Sequence, residues 1–361
     1  MTDGPKVDSL DVALDMTFAN RNRGGSGVYA RSLLTALRNR DSLTVWEVSG
    51  PRTSNLPGTM SWLLQGARRS LTARTPDILH CPSFVAPWRV PVPFVVTVHD
   101  AGGRRFPNDH PLEWRVYDRA VLSGRLRAAA RVITGSSFAR AELISEYGLR
   151  DDRIAVIPYG VDARFFETVP ATSNGDGFTM LFPGAPVPRK NLDAVLQCMA
   201  DAAPESALGS ARLDISGARP DDFRNVASRI ASLGLDSRVR WLGHVPAEQM
   251  PSVIARSSVV VYPSLSEGFG FPLLEALAVG TPAVGSDRGS IPEVVGDSAV
   301  LVDPTDRRAL SDALESVLTR PDLRAQLKRK GQERARTYTW DRCAELTLDV
   351  YQSVITESRA R

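Results

Sequence analysis

Three cysteines in 361 residues, Cys81, Cys198 and Cys343, are too few and too far apart to staple a fold. None has a second Cys or a His at metal-ligand spacing, so they read as reduced thiols of a cytoplasmic protein. Long apolar runs are also missing. Stretches such as Phe94–Val98 and Val259–Tyr262 are strand-sized, short of the ~20 residues a membrane-spanning helix needs. The opening MTDGPKVDSLD is polar and acidic, so no secretory leader is expected. No Asp-x-Asp triplet occurs, and no metal site is expected. Lysine is scarce: of 44 basic residues 40 are Arg. No basic run is interleaved with aromatics, so nucleic acid is not an expected partner.

What is present is ordinary for a globular chain of about two domains, with 43% hydrophobic and 24% charged residues. The net charge of +3 is unevenly held: residues 1–170 carry 22 basic and 17 acidic side chains, the rest 22 and 24. A basic first half suits an anionic acceptor or an anionic membrane surface, and equally a plain solvated surface.

Short β-branched runs recur, each followed by a turn and a longer helical stretch. They fall at Val7–Phe18, Leu43–Val48, Ile78–Cys81, Phe94–His99, Val132–Gly135 and Ile154–Pro158. The pattern repeats at Thr179–Pro183, Arg212–Ser216, Val239–Leu242, Val259–Pro263, Thr281–Gly285 and Ala299–Val302. Such alternation predicts an α/β protein with parallel sheets covered by helices on both faces. Twelve strands exceed one small doubly wound sheet, and the polar, turn-rich stretch Phe165–Gly177 offers a seam. The expected division is therefore residues 1–170, residues 171–340, and a final amphipathic helix (341–361) returning to the first domain.

Ligands of open α/β sheets bind beyond the carboxyl ends of the strands. After Val259–Pro263 comes SLSEGFGFPLLEALAVGTPAV. Gly268 and Gly270 allow close backbone approach, Pro272 suits a first helical turn, and the helix start offers N–H groups to an anion. Glu267 and Glu275, with seven residues between them, can face one cleft and accept sugar or ribose hydroxyls. The plainer alternative is that one caps the helix and the other complements its dipole. Arg189 and Lys190 precede a helix starting near Leu192, where cations are unfavourable unless an anion such as a diphosphate binds. A solvated basic turn is the competing account. Gly217-Ala218-Arg219 and Gly243-His244-Val245-Pro246 end two more strands and are candidates for a nucleobase pocket.

In the first half, Gly24, Gly25 and Gly27 open a helix. The segment Gly25–Ala30 also fits a dinucleotide fingerprint, with Glu47 placed 20 residues after Gly27. That keeps an NAD-dependent dehydrogenase as an alternative. His99, at a strand end, could bind a substrate hydroxyl or transfer a proton. Ser136, Ser137 and Arg140 open another helix, as phosphate contacts or as simple caps. Met60–Ala73, with Trp62 beside Arg68 and Arg69, reads as a packed helix or an interfacial one.

In order along nearly the whole chain, these motifs resemble the retaining glycosyltransferases of family 4, which have the GT-B fold. The resemblance runs through Gly24–Tyr29, VVTVHD, ITGSSFARAEL, Pro158–Asp162, Pro188–Asn191, LGHVP and Glu267–Glu275, with EVVGDSAVLVDP downstream. It implies two Rossmann-like domains facing a cleft, the second holding a nucleotide-diphosphate sugar as donor substrate and no other cofactor. Glu275 would bind ribose and Glu267 would sit near the transferred sugar. Arg189 and Lys190 would neutralise the diphosphate, aided by N–H groups from Phe269 to Pro272, Phe271 included. Gly217, His244 and Val245 would border the nucleotide. His99 would approach the donor sugar, and Gly25–Gly27 the phosphate or acceptor. Many members carry Arg directly after the glycine numbered Gly184 here; this chain has Ala185.

The resemblance in the His99-Asp100 and Pro188–Asn191 stretches leans towards mannosyltransferase-like members, hence GDP-mannose as donor, with UDP- and dTDP-sugars as open alternatives. The acceptor would be lipid-linked, a polysaccharide or a small molecule, as in cell-envelope polysaccharide synthesis, with peripheral membrane contact allowed. Oligomeric state is not readable. A sugar-nucleotide epimerase of the same architecture is the main alternative.

Overall fold

The computed structural model describes residues 9–20, 22, 24–50, 62, 64, 67–169 and 177–360. They form two compact units. The first comprises Met1–Gly160 and Thr339–Arg361, the second Val161–Tyr338. The division falls earlier than the polar seam would suggest. The reason is local: Ala163–Glu167 is a helix, started by the Asp162 carboxylate accepting from the Arg164 N–H, and it packs on the Phe271–Val279 helix of the second unit. Much of the remaining seam, residues 170–176, lies outside the described residues.

Six parallel strands build the first unit's sheet in the order β2-β1-β3-β4-β5-β6. They are β1 (Leu10–Asp15), β2 (Leu43–Val48), β3 (Ile78–Cys81), β4 (Phe94–Thr97), β5 (Arg131–Thr134) and β6 (Ile154–Val156). β3 and β4 are buried throughout, as strands covered on both faces must be. The Trp340–Arg359 helix belongs to this unit and packs on Gly25–Arg38. Its Tyr351 hydroxyl meets His80 Nδ1 at 2.6 Å, and His80 Nε2 meets the Thr97 hydroxyl at 2.8 Å. Burial pushes the His80 imidazole down to about 3, so it is neutral.

The second unit repeats the plan in the order β12-β11-β10-β7-β8-β9, again all parallel. Its strands are β7 (Thr179–Phe182), β8 (Arg212–Ser216), β9 (Val239–Gly243), β10 (Val259–Tyr262), β11 (Ala283–Ser286) and β12 (Val300–Val302). A core of Met180, Phe182, Val195, Met199, Leu213, Val261 and Leu314, among others, fills the space between the sheet and its helices. The order of connection reverses beside β7, which pairs with both β8 and β10. At such a point the loops after two neighbouring strands diverge and leave a crevice at their carboxyl ends.

Candidate active site

The loops after β7 and β10 carry the residues singled out above, and the reversal in strand order brings them together. Pro188–Lys190 forms a single 3-10 turn, closed by Asn191 in the left-handed conformation, and the helix Leu192–Asp201 follows. Arg189 pairs with Glu267 at 2.8 Å (Nη1 to Oε1) and also donates to the Ser266 carbonyl. The same Glu267 oxygen accepts from the Tyr262 hydroxyl at 2.8 Å and from the Ser264 hydroxyl at 2.7 Å. Glu267 is thus a clamped carboxylate and does not cap the Phe271–Val279 helix. That helix starts at Gly270 (φ +92°), without a side-chain cap.

Lys190 lies against the Tyr262 ring, its Nζ 5.2 Å from the ring centre, and reaches towards the Pro183 carbonyl at 3.5 Å. Burial holds its ammonium below the ordinary lysine range, while Glu267 acts in the opposite sense. The site therefore contains two cations and one carboxylate on adjoining loops, next to a helix start with N–H groups to offer. Such an arrangement suits a multiply charged anion, because a diphosphate can replace Glu267 as the partner of a cation.

Glu275, on the same helix, is in a different state. Burial first, and the nearby Asp162 charge second, push its carboxyl up to about 8. At neutral pH it is mainly protonated and can both donate to and accept from a hydroxyl pair.

Beyond β7, β8 and β9 the chain bends through Gly184 (φ +90°), Gly217 (φ +84°) and Gly243 (φ +65°). Gly217 donates to the Gly243 carbonyl at 2.6 Å, and a Cβ on Gly217 would stand 3.0 Å from the Gly184 Cα. The missing side chains let the strand ends pack this closely, and the Lys190 Nζ lies over Gly184, 2.3 Å from where a Cβ would stand. His244 is exposed beyond it, and Val245 is half-buried; both line a hollow of about 330 Å³ with Leu242 and Gln249. Phe269 is buried and stacks edge-on with Phe271 at 5.1 Å, while Gly268 is buried between Glu267 and that pair.

In the first unit, His99 follows β4 and is ringed by Tyr29, Phe84 and Tyr159, its Nδ1 2.8 Å from the Tyr159 hydroxyl. Burial lowers it to about 4, partly countered by the Pro82 backbone, so the imidazole is neutral at pH 7. Gly25 and Gly27 begin the Gly25–Arg38 helix, which has no side-chain cap, and a Cβ on Gly27 would collide with the Asn22 carbonyl at 1.8 Å. Three other candidates take structural positions. Ser136 caps the Ser137–Tyr147 helix, Arg140 pairs with Asp151, and Glu47 pairs with Arg38. Of Met60–Ala73, residues 60, 61, 63, 65 and 66 lie outside the described residues; Ala67–Ala73 is helical and Trp62 is buried, donating to Asp15.

Sequence reasoning missed the residues that hold two of these groups, Tyr262 and Ser264 for Glu267 and Tyr159 for His99, and the Asp162 charge that acts on Glu275. Tyr262 and Ser264 precede Glu267 within one short segment, and that proximity was the available signal. Among the described residues no cluster of His, Cys, Asp and Glu has metal-binding geometry, and no helix is long and apolar enough to cross a membrane.

Residues 165–334 match the family described as Glycosyl transferases group 1, and residues 23–165 match Glycosyltransferase Family 4. The O-antigen chain mannosyltransferase B of Escherichia coli is 31% identical over 287 residues, 76% of this chain and 74% of that protein. An MMP alpha-(1->4)-mannosyltransferase of Mycolicibacterium hassiacum is 26% identical over 343 residues, 89% of this chain and 80% of that protein. Sucrose-phosphate synthase from Thermosynechococcus elongatus has a similar fold, with TM-score 0.81 and 20% identity, covering 96% of this chain and 100% of that one. With both halves matched and the two sheets in place, this chain belongs to the group 1, family 4-like glycosyltransferases of GT-B fold, whose donors are nucleotide sugars.

Proposed function

We propose that the protein transfers a hexose with retention of configuration, mannose from GDP-mannose being the favoured donor. The acceptor is a glycan, lipid-linked or a small molecule, presented in solution or at an anionic membrane surface. The observation that carries the reading is the Arg189–Glu267 pair with Lys190 beside it, at the crevice where the second sheet reverses its strand order. Two cations and a helix N-terminus would stabilise the charge that grows on the departing diphosphate. Glu275 would hold the ribose hydroxyls. The mannosyl preference rests on the two mannosyltransferase relatives.

Arg189, Tyr262 and Ser264 all hold Glu267 through the same oxygen, which fixes the carboxylate in place. We therefore assign it to positioning the sugar. In the step that follows, the bond from the anomeric carbon to the diphosphate oxygen breaks. The acceptor oxygen bonds that carbon on the same face, and its proton passes to the leaving phosphate. Lys190→Ala and Glu267→Ala are expected to lower kcat/KM by about a hundredfold or more while leaving the protein folded. A product of unchanged anomeric configuration by NMR supports retention. Full activity in both variants overturns the site.

A further inference from the structure

The amino-terminal edge of the first sheet, opposite to the strand end that carries His99, holds a cavity of about 650 Å³. That volume is in the range of small-molecule sites. It opens where β4, β5 and β6 begin, beside the last turns of the Trp340–Arg359 helix. Five arginines line it: Arg68, Arg89, Arg125, Arg131 and Arg153. Among the described residues Glu357 is the one acid in the lining, and it is bound to Arg131 and to the Ser353 hydroxyl.

Two of the other guanidinium groups rest on neutral partners. Arg125 lies over the Phe94 ring at 5.0 Å, and Arg153 donates to the Ala129 carbonyl. The Nε of each is buried without a hydrogen-bond partner. Arg68 and Arg89 are exposed at the rim, as is half of the Trp88 side chain, 49% accessible. Five like charges around one cavity repel one another, and one carboxylate offsets only one of them. A singly charged anion would leave most of that charge uncompensated. A di- or polyphosphate would meet several guanidinium forks at once, which is the geometry arginine serves best. Val90, Pro91 and Val92 add an apolar wall that suits a ligand with a non-polar portion.

We propose that this cavity binds a diphosphate- or polyphosphate-bearing ligand, at a site separate from the candidate donor site of the second unit. The phosphate belongs either to a soluble molecule or to a lipid headgroup, and the test separates the two. Inorganic pyrophosphate is titrated into the full-length protein by calorimetry. In parallel, the protein is sedimented with phosphatidylcholine vesicles with and without diacylglycerol pyrophosphate, a lipid whose headgroup is a diphosphate. Each arm is repeated with the rim double variant R68E/R89E, whose fold is checked by circular dichroism, and with K190A.

Pyrophosphate affinity that survives K190A and weakens by about tenfold or more in R68E/R89E supports a soluble ligand. Vesicle binding that needs diacylglycerol pyrophosphate and is lost in R68E/R89E supports a lipid headgroup. Binding of neither probe overturns the proposal. So does binding that R68E/R89E leaves unchanged.

Discussion

Glu275 and Lys190 share one crevice edge, yet burial moves them in opposite directions on the pH scale. For Glu275 the sign is definite. A carboxyl at about 8 in the folded protein and 4.5 in the unfolded chain keeps its proton longer when folded. Its favourable contribution is complete below 4.5 and is lost as pH rises towards 8. Replacing it with Gln removes that dependence. The second unit of Glu275→Gln should melt at a temperature that no longer falls across this window, measured by calorimetry, whereas nucleotide affinity should drop. At this scale the sequence was readable in part. Glu267, Arg189 and Lys190 were identifiable because a strand end followed by glycines and a helix start limits what the side chains can reach. Their pairing was not, since it depends on which loops β7 and β10 bring together, and periodicity does not encode strand order.

Among the elements, the Trp340–Arg359 helix has the longest reach in sequence. Tyr351 joins His80 of β3, and Thr97 of β4 joins both His80 and Tyr29, whose hydroxyl is 3.0 Å from the Thr97 hydroxyl. Tyr29 in turn packs edge-on against His99 at 5.1 Å. Removing the Tyr351 hydroxyl leaves a buried imidazole nitrogen unpaired, which costs about 1–3 kcal/mol. Tyr351→Phe should therefore lower the melting temperature of the first unit and leave nucleotide binding by the second unchanged, a contrast that differential scanning calorimetry with and without nucleotide would reveal. Twelve strands were recoverable from β-branched runs, because fully buried parallel strands are continuous apolar stretches. The Ala163–Glu167 helix was not, since a five-residue helix leaves almost no periodic signal. Nor was the His80 network, because a lone His in an apolar strand does not name its partner.

Taken as a whole, the molecule joins two similar sheets that both bury carboxyls, Asp15 in the first unit and Glu275 in the second, and the first unit buries two histidines besides. His80 at about 3 and His99 at about 4, against an ordinary 6.5, are neutral imidazoles buried in the first unit. Their contribution is complete above 6.5 and is lost as pH falls below it, because the unfolded chain then takes up protons that the folded unit refuses. Glu275 sets the contrary trend in the second unit. Thermal scans should therefore show two transitions, with these histidines weakening the first unit on the acid side and Glu275 weakening the second on the alkaline side. A cognate nucleotide at a hundred times its Kd should stabilise only the second, by about 2.7 kcal/mol. The first unit is also completed by a helix that comes after the whole of the second. On the ribosome this inverts the usual order, in which the earlier-made domain finishes folding first. At roughly 5–20 residues per second, the roughly 180 residues between Gly160 and Thr339 take roughly 10–40 s to emerge. Throughout that interval the nascent first half must keep the seat of its missing helix, the groove around Tyr29 and His80, out of the reach of other chains.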